Sequence, residues 1–138
     1  MSYLLDTNAC IGIINGRLPL LRDRFRAALG QEAGISVSAI AVFELWYGVG
    51  KSQHQARNVD RLRIFLGAPV EILGFDEEDG RIAGLERARL REAGTPIGPY
   101  DLLIAAQALR HRRTLVTANV GEFSRVRGLV WEDWAAGQ

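Results

Sequence analysis

Short apolar runs alternate along the chain with longer amphipathic stretches. Tyr3-Leu4-Leu5 ends at Asp6 and reads as a buried strand entering a polar turn. Residues 8–15 and 17–29 have helical spacing, with Leu18, Leu21, Phe25 and Leu29 forming an apolar stripe between Arg22, Arg24 and Arg26. Ile35 to Val37 predicts a second strand. Ser38 then stands as N-cap to a largely apolar helix that Gly48 and Gly50 stop. A polar helix over 53–66, a strand over Val70 to Leu73 and a charged helix over 76–92 follow, the last ending at the turn Ala93-Gly94-Thr95-Pro96. Gly98-Pro99-Tyr100-Asp101 opens the next helix, because proline suits the first helical position and an apolar run follows it. Thr114 to Thr117 predicts a fourth strand, Asn119 to Phe123 a helical turn, and Leu129 to Trp131 a short fifth strand. Strands alternating with helices predict an α/β chain with a central, mainly parallel sheet of four to five strands and helices on both faces. There is no repeat or linker, and residues 1–138 are expected to form a single domain.

Composition sharpens this picture. Counting glycine but not tyrosine as apolar brings the apolar share to about 57%, against about 45–50% for soluble domains. The chain can therefore bury a core and still present apolar surface to a partner. No apolar run approaches a membrane span, and the first residues lack the pattern of a signal peptide, so a cytoplasmic protein with no membrane partner is expected. Cys10 is the only cysteine, and only His54 and His111 offer imidazole, which disfavours zinc. Net charge is +1, but sixteen of the seventeen cations are arginine, and Lys51 is the one lysine.

In an open parallel sheet the ligand crevice lies beyond the carboxyl ends of the strands. Asp6 follows the first strand, Ser38 follows the second and leads into the helix bearing Glu44, and Asn119 and Glu122 follow the strand ending at Thr117. Asp101 opens the helix before that strand. Each has a local reading as well: Asp6 as a helix cap, Asp101 as a favourable charge on the helix dipole, Asn119 and Glu122 as a capping box. Glu44 differs, since it interrupts the apolar and aromatic run from Ala39 to Tyr47, where an unpaired carboxylate costs several kcal/mol. Two converging carboxylates at about 4 Å repel by about 4 kcal/mol at an effective dielectric near 20, so something cationic must lie between them. With one lysine available, a bound hard cation answers that need, and all-oxygen ligands suit Mg²⁺ or Mn²⁺. Such a site activates water and stabilises a phosphoryl transition state, which predicts phosphodiester hydrolysis.

Four segments carry a family resemblance in the right order: Leu4-Leu5-Asp6-Thr7-Asn8, the helix from Ser38 to Gly48, the block from Gly94 to Leu109, and Leu115-Val116-Thr117-Ala118-Asn119-Val120-Gly121-Glu122-Phe123. Together they resemble the PIN-domain ribonuclease toxins of the VapC type, and the closing Val126 to Trp134 is similar to that family's C-terminus. The resemblance implies a three-layer α/β/α PIN-like fold and a toxin endoribonuclease that cuts structured RNA with Mg²⁺. It also implies a homodimer and silencing by a cognate VapB-type antitoxin, which often places a basic side chain in the acidic site. Asp6 and Asp101 match the metal-binding aspartates, and Glu44 matches the second acidic motif, binding metal directly or through water. Asn119 stands where many relatives carry Asp, which leaves Glu122 as the weaker fourth acid and Asn119 as a polar group behind it. Thr7 and Thr117 would orient carboxylates or water.

The same chain admits rival readings. Gly48-Val49-Gly50-Lys51-Ser52 imitates a phosphate-binding loop, but it ends a helix and lacks the first glycine. A haloacid-dehalogenase-type phosphatase or a receiver domain leans on a second early aspartate or a late lysine; position 8 is Asn and no lysine follows residue 51. A catalytically silent PIN-like module for RNA binding or protein interaction is the non-enzymatic alternative. Trp46, Tyr47, Trp131 and Trp134 are candidates for base stacking or an interface, and Arg110, Arg112, Arg113, Arg125 and Arg127 for phosphate contacts.

Overall fold

The structure is a computed structural model that describes residues 1–136. Five strands run parallel: β1 (Ser2–Leu5), β2 (Gly34–Ser38), β3 (Glu71–Leu73), β4 (Thr114–Val116) and β5 (Trp131–Glu132). Their order across the sheet is β3-β2-β1-β4-β5, with Tyr3 opposite Ile35 on one side and Thr114 on the other. The chain first steps from β1 outward to β3, then returns past its start to β4. Right-handed crossovers put α1 (Thr7–Asn15), α2 (Pro19–Gly30), α3 (Ala39–Gly50) and α4 (Gln55–Leu66) on one face of the sheet. The same rule puts α5 (Glu77–Glu92) and α6 (Pro99–His111) on the other face. A single turn, α7 (Val120–Phe123), follows β4.

The central strand explains the brevity of the sequence signal. Leu4 and Leu5 are both fully buried on opposite faces of β1, so this strand reads as a continuous apolar run instead of an alternation. Val37, Leu115, Val116 and Ile104 are buried around it, as is Phe123 of the short α7. The change of direction falls between β1 and β4. There the backbone N–H of Asp6 donates to the Val116 carbonyl at 3.1 Å, which sets the first residue after β1 beside the last residue of β4. A crevice at the carboxyl ends of β1 and β4 follows from this topology.

Local signals set most boundaries. Ser38 caps α3 through its hydroxyl, which accepts from the Ile40 N–H at 2.9 Å. Asp76 and Asp79 form a reciprocal capping box at α5. Some expected bounds shift. The second helix begins at Pro19, because proline is accepted only in the first turn, and α3 runs through Gly48 to Gly50 before stopping. β5 comprises Trp131 and Glu132, later than the 129–131 expected, since its register is set by pairing with Leu115 and Val116 and not by its own pattern. No helix among the described residues is long and apolar enough to cross a membrane.

Candidate active site

Asp6 takes the cap role in the structure. As N-cap of α1 it accepts from the Ala9 N–H at 2.7 Å, and the Thr117 side chain from the end of β4 bonds it as well. Its side chain is almost fully enclosed, and that burial pushes the carboxyl above its ordinary value; the two hydrogen bonds counter the rise, while Glu44 and Asp133 add to it. Glu44, half-buried on α3, meets α1 through the Thr7 hydroxyl, which donates to its Oε1 at 2.6 Å. The partner that a carboxylate in this apolar helix requires is thus a hydroxyl supplied by a residue next to Asp6.

Asp101 lies in the first turn of α6, so the helix that precedes β4 delivers it to the carboxyl end of the sheet. Burial first, then a hydrogen bond and repulsion from Glu122, then the charges of Asp6 and Glu44, drive its carboxyl up to about 7. Glu122 moves the other way. The hydrogen bond from Asp101 holds its carboxyl below the ordinary range, helped by the Gly98 N–H at 2.9 Å and the Asn119 side-chain amide at 2.6 Å. Asn119 makes no side-chain cap at α7, so the expected capping box is replaced by an amide that donates to Glu122. Glu122 in turn tethers Gly98, the residue just before α6.

Asp6, Glu44 and Asp101 thus face one crevice, with Glu122 at its margin and Asn119 behind Glu122. The acids are spread around it. Among the described residues no three acidic, histidine or cysteine side chains already stand in metal-ligand geometry. Beside the acids opens a groove of about 700 Å³ lined by Thr7, Glu44 and Asp101, and by Phe43, Tyr47, Lys51 and Tyr100. Tyr100 and Phe43, from α6 and α3, pack edge to face with centroids 5.6 Å apart.

Other candidates are placed elsewhere. Arg110 pairs with Asp76 and, at 3.3 Å, with Asp79, while Arg113 pairs with Glu71 at 3.2 Å. With Arg112 they stand at the opposite end of the 13-residue α6 from Asp101, about 14–18 Å away at the helical rise. Arg125 bonds the Pro96 carbonyl at 2.9 Å and so braces the same loop that Glu122 tethers. Trp134 is buried against Tyr3, which assigns it to the core, whereas Trp131 and Trp46 remain partly exposed. Lys51, singled out in the sequence as the sole lysine and within the rejected phosphate-loop imitation, proves to line the groove, as do Phe43 and Tyr100, which the sequence did not single out.

The family model of the PIN domain matches residues 3–129. The chain is 36% identical to the tRNA(fMet)-specific endonuclease VapC of Shigella flexneri over 135 residues, covering 98% of this chain and 99% of that protein. It is 38% identical to Ribonuclease VapC2 of Rickettsia felis over 134 residues, 97% and 98% of the two chains. The chain belongs to the VapC group of PIN-domain proteins. In the crystal structure of VapBC2 from Rickettsia felis bound to a DNA fragment from its promoter, a chain 36% identical superposes with a TM-score of 0.88, covering 96% of this chain and 98% of that one. VapBC-1 from nontypeable Haemophilus influenzae gives 0.85 at 32% identity, covering 99% and 100%. The three-layer arrangement is that of the VapC fold, and the matched span includes Asp6, Glu44, Asp101, Asn119 and Glu122. These VapC relatives are named as an endonuclease and a ribonuclease.

Proposed function

We propose that this chain is the toxin of a type II toxin–antitoxin pair, an Mg²⁺-dependent endoribonuclease that hydrolyses RNA phosphodiester bonds and is held inactive by a VapB-type antitoxin. The observation that carries this reading is the gathering of acids at the start of α6: burial first, and then Glu122, Asp6 and Glu44, drive the Asp101 carboxyl up to about 7. The donor set fits a hard divalent ion, since carboxylate and hydroxyl oxygens line the crevice, while Cys10 is buried in the core and His111 lies at the far end of α6. Asp6 and Asp101 would hold the ion, with Glu44 as a third ligand, direct or through water. When bound, Mg²⁺, or Mn²⁺ in its place, supplies neutralising charge and a more acidic water for attack on phosphorus. Thr117 and the Ala9 N–H fix the Asp6 carboxyl, Thr7 fixes Glu44, and Glu122 with Asn119 behind it holds the entry to α6 so that Asp101 faces the crevice.

Support for the antitoxin comes from the surface beside the site. Two apolar hollows of about 260 and 380 Å³ share Ile14 and Arg61, and together follow α1 between α2, α3 and α4. Glu44 lines the first hollow and also the catalytic groove. The relatives above were crystallised as VapBC assemblies. An antitoxin segment with an apolar face laid in these hollows would end at Glu44, where a basic side chain would neutralise the acids and displace the metal. A homodimer, acting in the cytoplasm where RNA is found, completes the reading.

The test is cleavage of total RNA by the purified chain with Mg²⁺, with excess EDTA, and by the variants Asp6→Asn and Asp101→Asn. Fragments are expected only from the wild type with metal; cleavage that persists in EDTA or in both variants would falsify the mechanism. A silent binding module would retain RNA without producing fragments, and a phosphatase would release phosphate from small monoesters while leaving RNA chains intact.

A further inference from the structure

Phe43, Tyr47 and Lys51 recur every four residues along α3 and its C-cap, so they form one stripe on the helix. All three line the groove that also holds Thr7, Glu44 and Asp101, and Lys51 is the only cation among the residues that line it. Their aromatic surface is unusually open for a helix of such apolar composition: Phe43 is 53% exposed, Tyr47 64%, and Tyr100 on the facing helix 47%. The Lys51 ammonium lies 5.0 Å from the centroid of the Tyr47 ring, which keeps the charge beside the aromatic surface. Meanwhile the arginines that the sequence offered for phosphate contact at the end of α6 are about 14–18 Å from Asp101 at the helical rise, and two of them are engaged in ion pairs. A phosphodiester brought to the acids therefore meets its nearest lining cation at Lys51 and its nearest stacking surfaces at Phe43, Tyr47 and Tyr100.

We propose that this stripe is a nucleotide subsite next to the acids, in which an unpaired base of the RNA stacks on Tyr47 and the Phe43–Tyr100 pair while Lys51 binds a neighbouring phosphate. This rests on the ribonuclease reading and adds to it a requirement: the RNA must present an unstacked base within a nucleotide or two of the cut, since a base held in a duplex cannot lie on these rings. Tyr47 and Lys51 select the strand; the acids act on it.

The experiment measures binding of a 5′-labelled, twelve-nucleotide single-stranded RNA of mixed sequence by fluorescence anisotropy in EDTA, beside the same strand annealed to its complement. In parallel, total RNA is cleaved in Mg²⁺, and sedimentation velocity is run on each variant. Tyr47→Ala is expected to weaken single-strand binding about tenfold, from the loss of one stacking platform. Tyr47→Phe, which keeps the ring, should stay within twofold of wild type. Lys51→Ala should lower the slope of log affinity against log salt by about 0.7, the contribution of one phosphate contact on a single strand. Both Ala variants should raise KM for RNA more than they lower kcat. Wild-type binding of duplex as tight as single strand, or Ala variants that bind and cleave like wild type, would overturn the subsite. So would a Tyr47→Ala variant whose only change is dissociation of a dimer, because the stripe would then be a surface between copies. If the wild type itself cuts no RNA, the ribonuclease reading fails first.

Discussion

Asp101 makes the site's electrostatics measurable without any substrate. Its carboxyl rises from an ordinary 3.8 to about 7, so between those values the folded chain binds more protons than the unfolded one. Stability then falls as pH rises: the contribution is fully present below the lower value and lost as pH passes through about 7. Asp6, also raised by burial, acts with the same sign. Asp101→Asn keeps the shape and removes the ionisation, so in EDTA it should stabilise the chain, and by more at pH 8 than at pH 5. Urea midpoints at the two pH values check this, and an equal effect at both would sink it. Thr7 is the complementary case. Thr7→Val removes the hydroxyl that donates to Glu44 and leaves a half-buried carboxylate unpartnered, a loss of about 2 kcal/mol that Thr7→Ser should largely avoid.

Between elements, the loop from Gly94 to Gly98 decides where α6 begins, and it is held from outside. Arg125 bonds its Pro96 carbonyl and Glu122 accepts from the Gly98 N–H, so the residues after β4 set the start of the helix that comes before β4. Glu122→Ala is expected to free this entry: amide exchange at Gly98 should accelerate by at least tenfold, and RNA cleavage should fall although Asp6, Glu44 and Asp101 are intact. An unchanged exchange rate would mean that Glu122 does not position the loop. This coupling marks the limit of what could be read from the chain. Asp6 at a strand end, Ser38 before an apolar helix and Asp101 after Pro99 are local signals, and the structure places each at the expected element end. The spacing of Asn119 and Glu122 is the same for a capping box as for the amide-to-carboxylate bond that forms, and the contact that decides between them lies 24 residues away at Gly98. Likewise nothing in a cluster of arginines reveals that Glu71, Asp76 and Asp79 will absorb Arg110 and Arg113.

For the whole molecule, the near balance of 17 cations and 16 acids conceals a division of labour along α6. The N-terminal end lies among acids that raise the Asp101 carboxyl, and at the C-terminal end Arg110 and Arg113 are already paired with Asp76, Asp79 and Glu71. Any inhibitor that reaches the first end must bring positive charge, and it needs an anchor that survives salt. The hollows along α1 offer that anchor, because they are lined largely by Ile13, Ile14, Phe25, Ile64 and Phe65, and because Glu44 joins them to the catalytic groove. Ile64 is the useful probe: it lines the second hollow yet is 76% exposed, so a polar residue there disturbs little of the core. Ile64→Asp should weaken the complex with the cognate antitoxin by at least tenfold in a titration calorimeter, and RNA cleavage should then persist at antitoxin concentrations that silence the wild type. Raising the salt should weaken the wild-type complex only modestly, since the apolar contact carries most of the affinity and the charge contact carries the inhibition. An Ile64→Asp variant that is bound and silenced like wild type would place the antitoxin elsewhere on the surface and leave Glu44 without a role in its control.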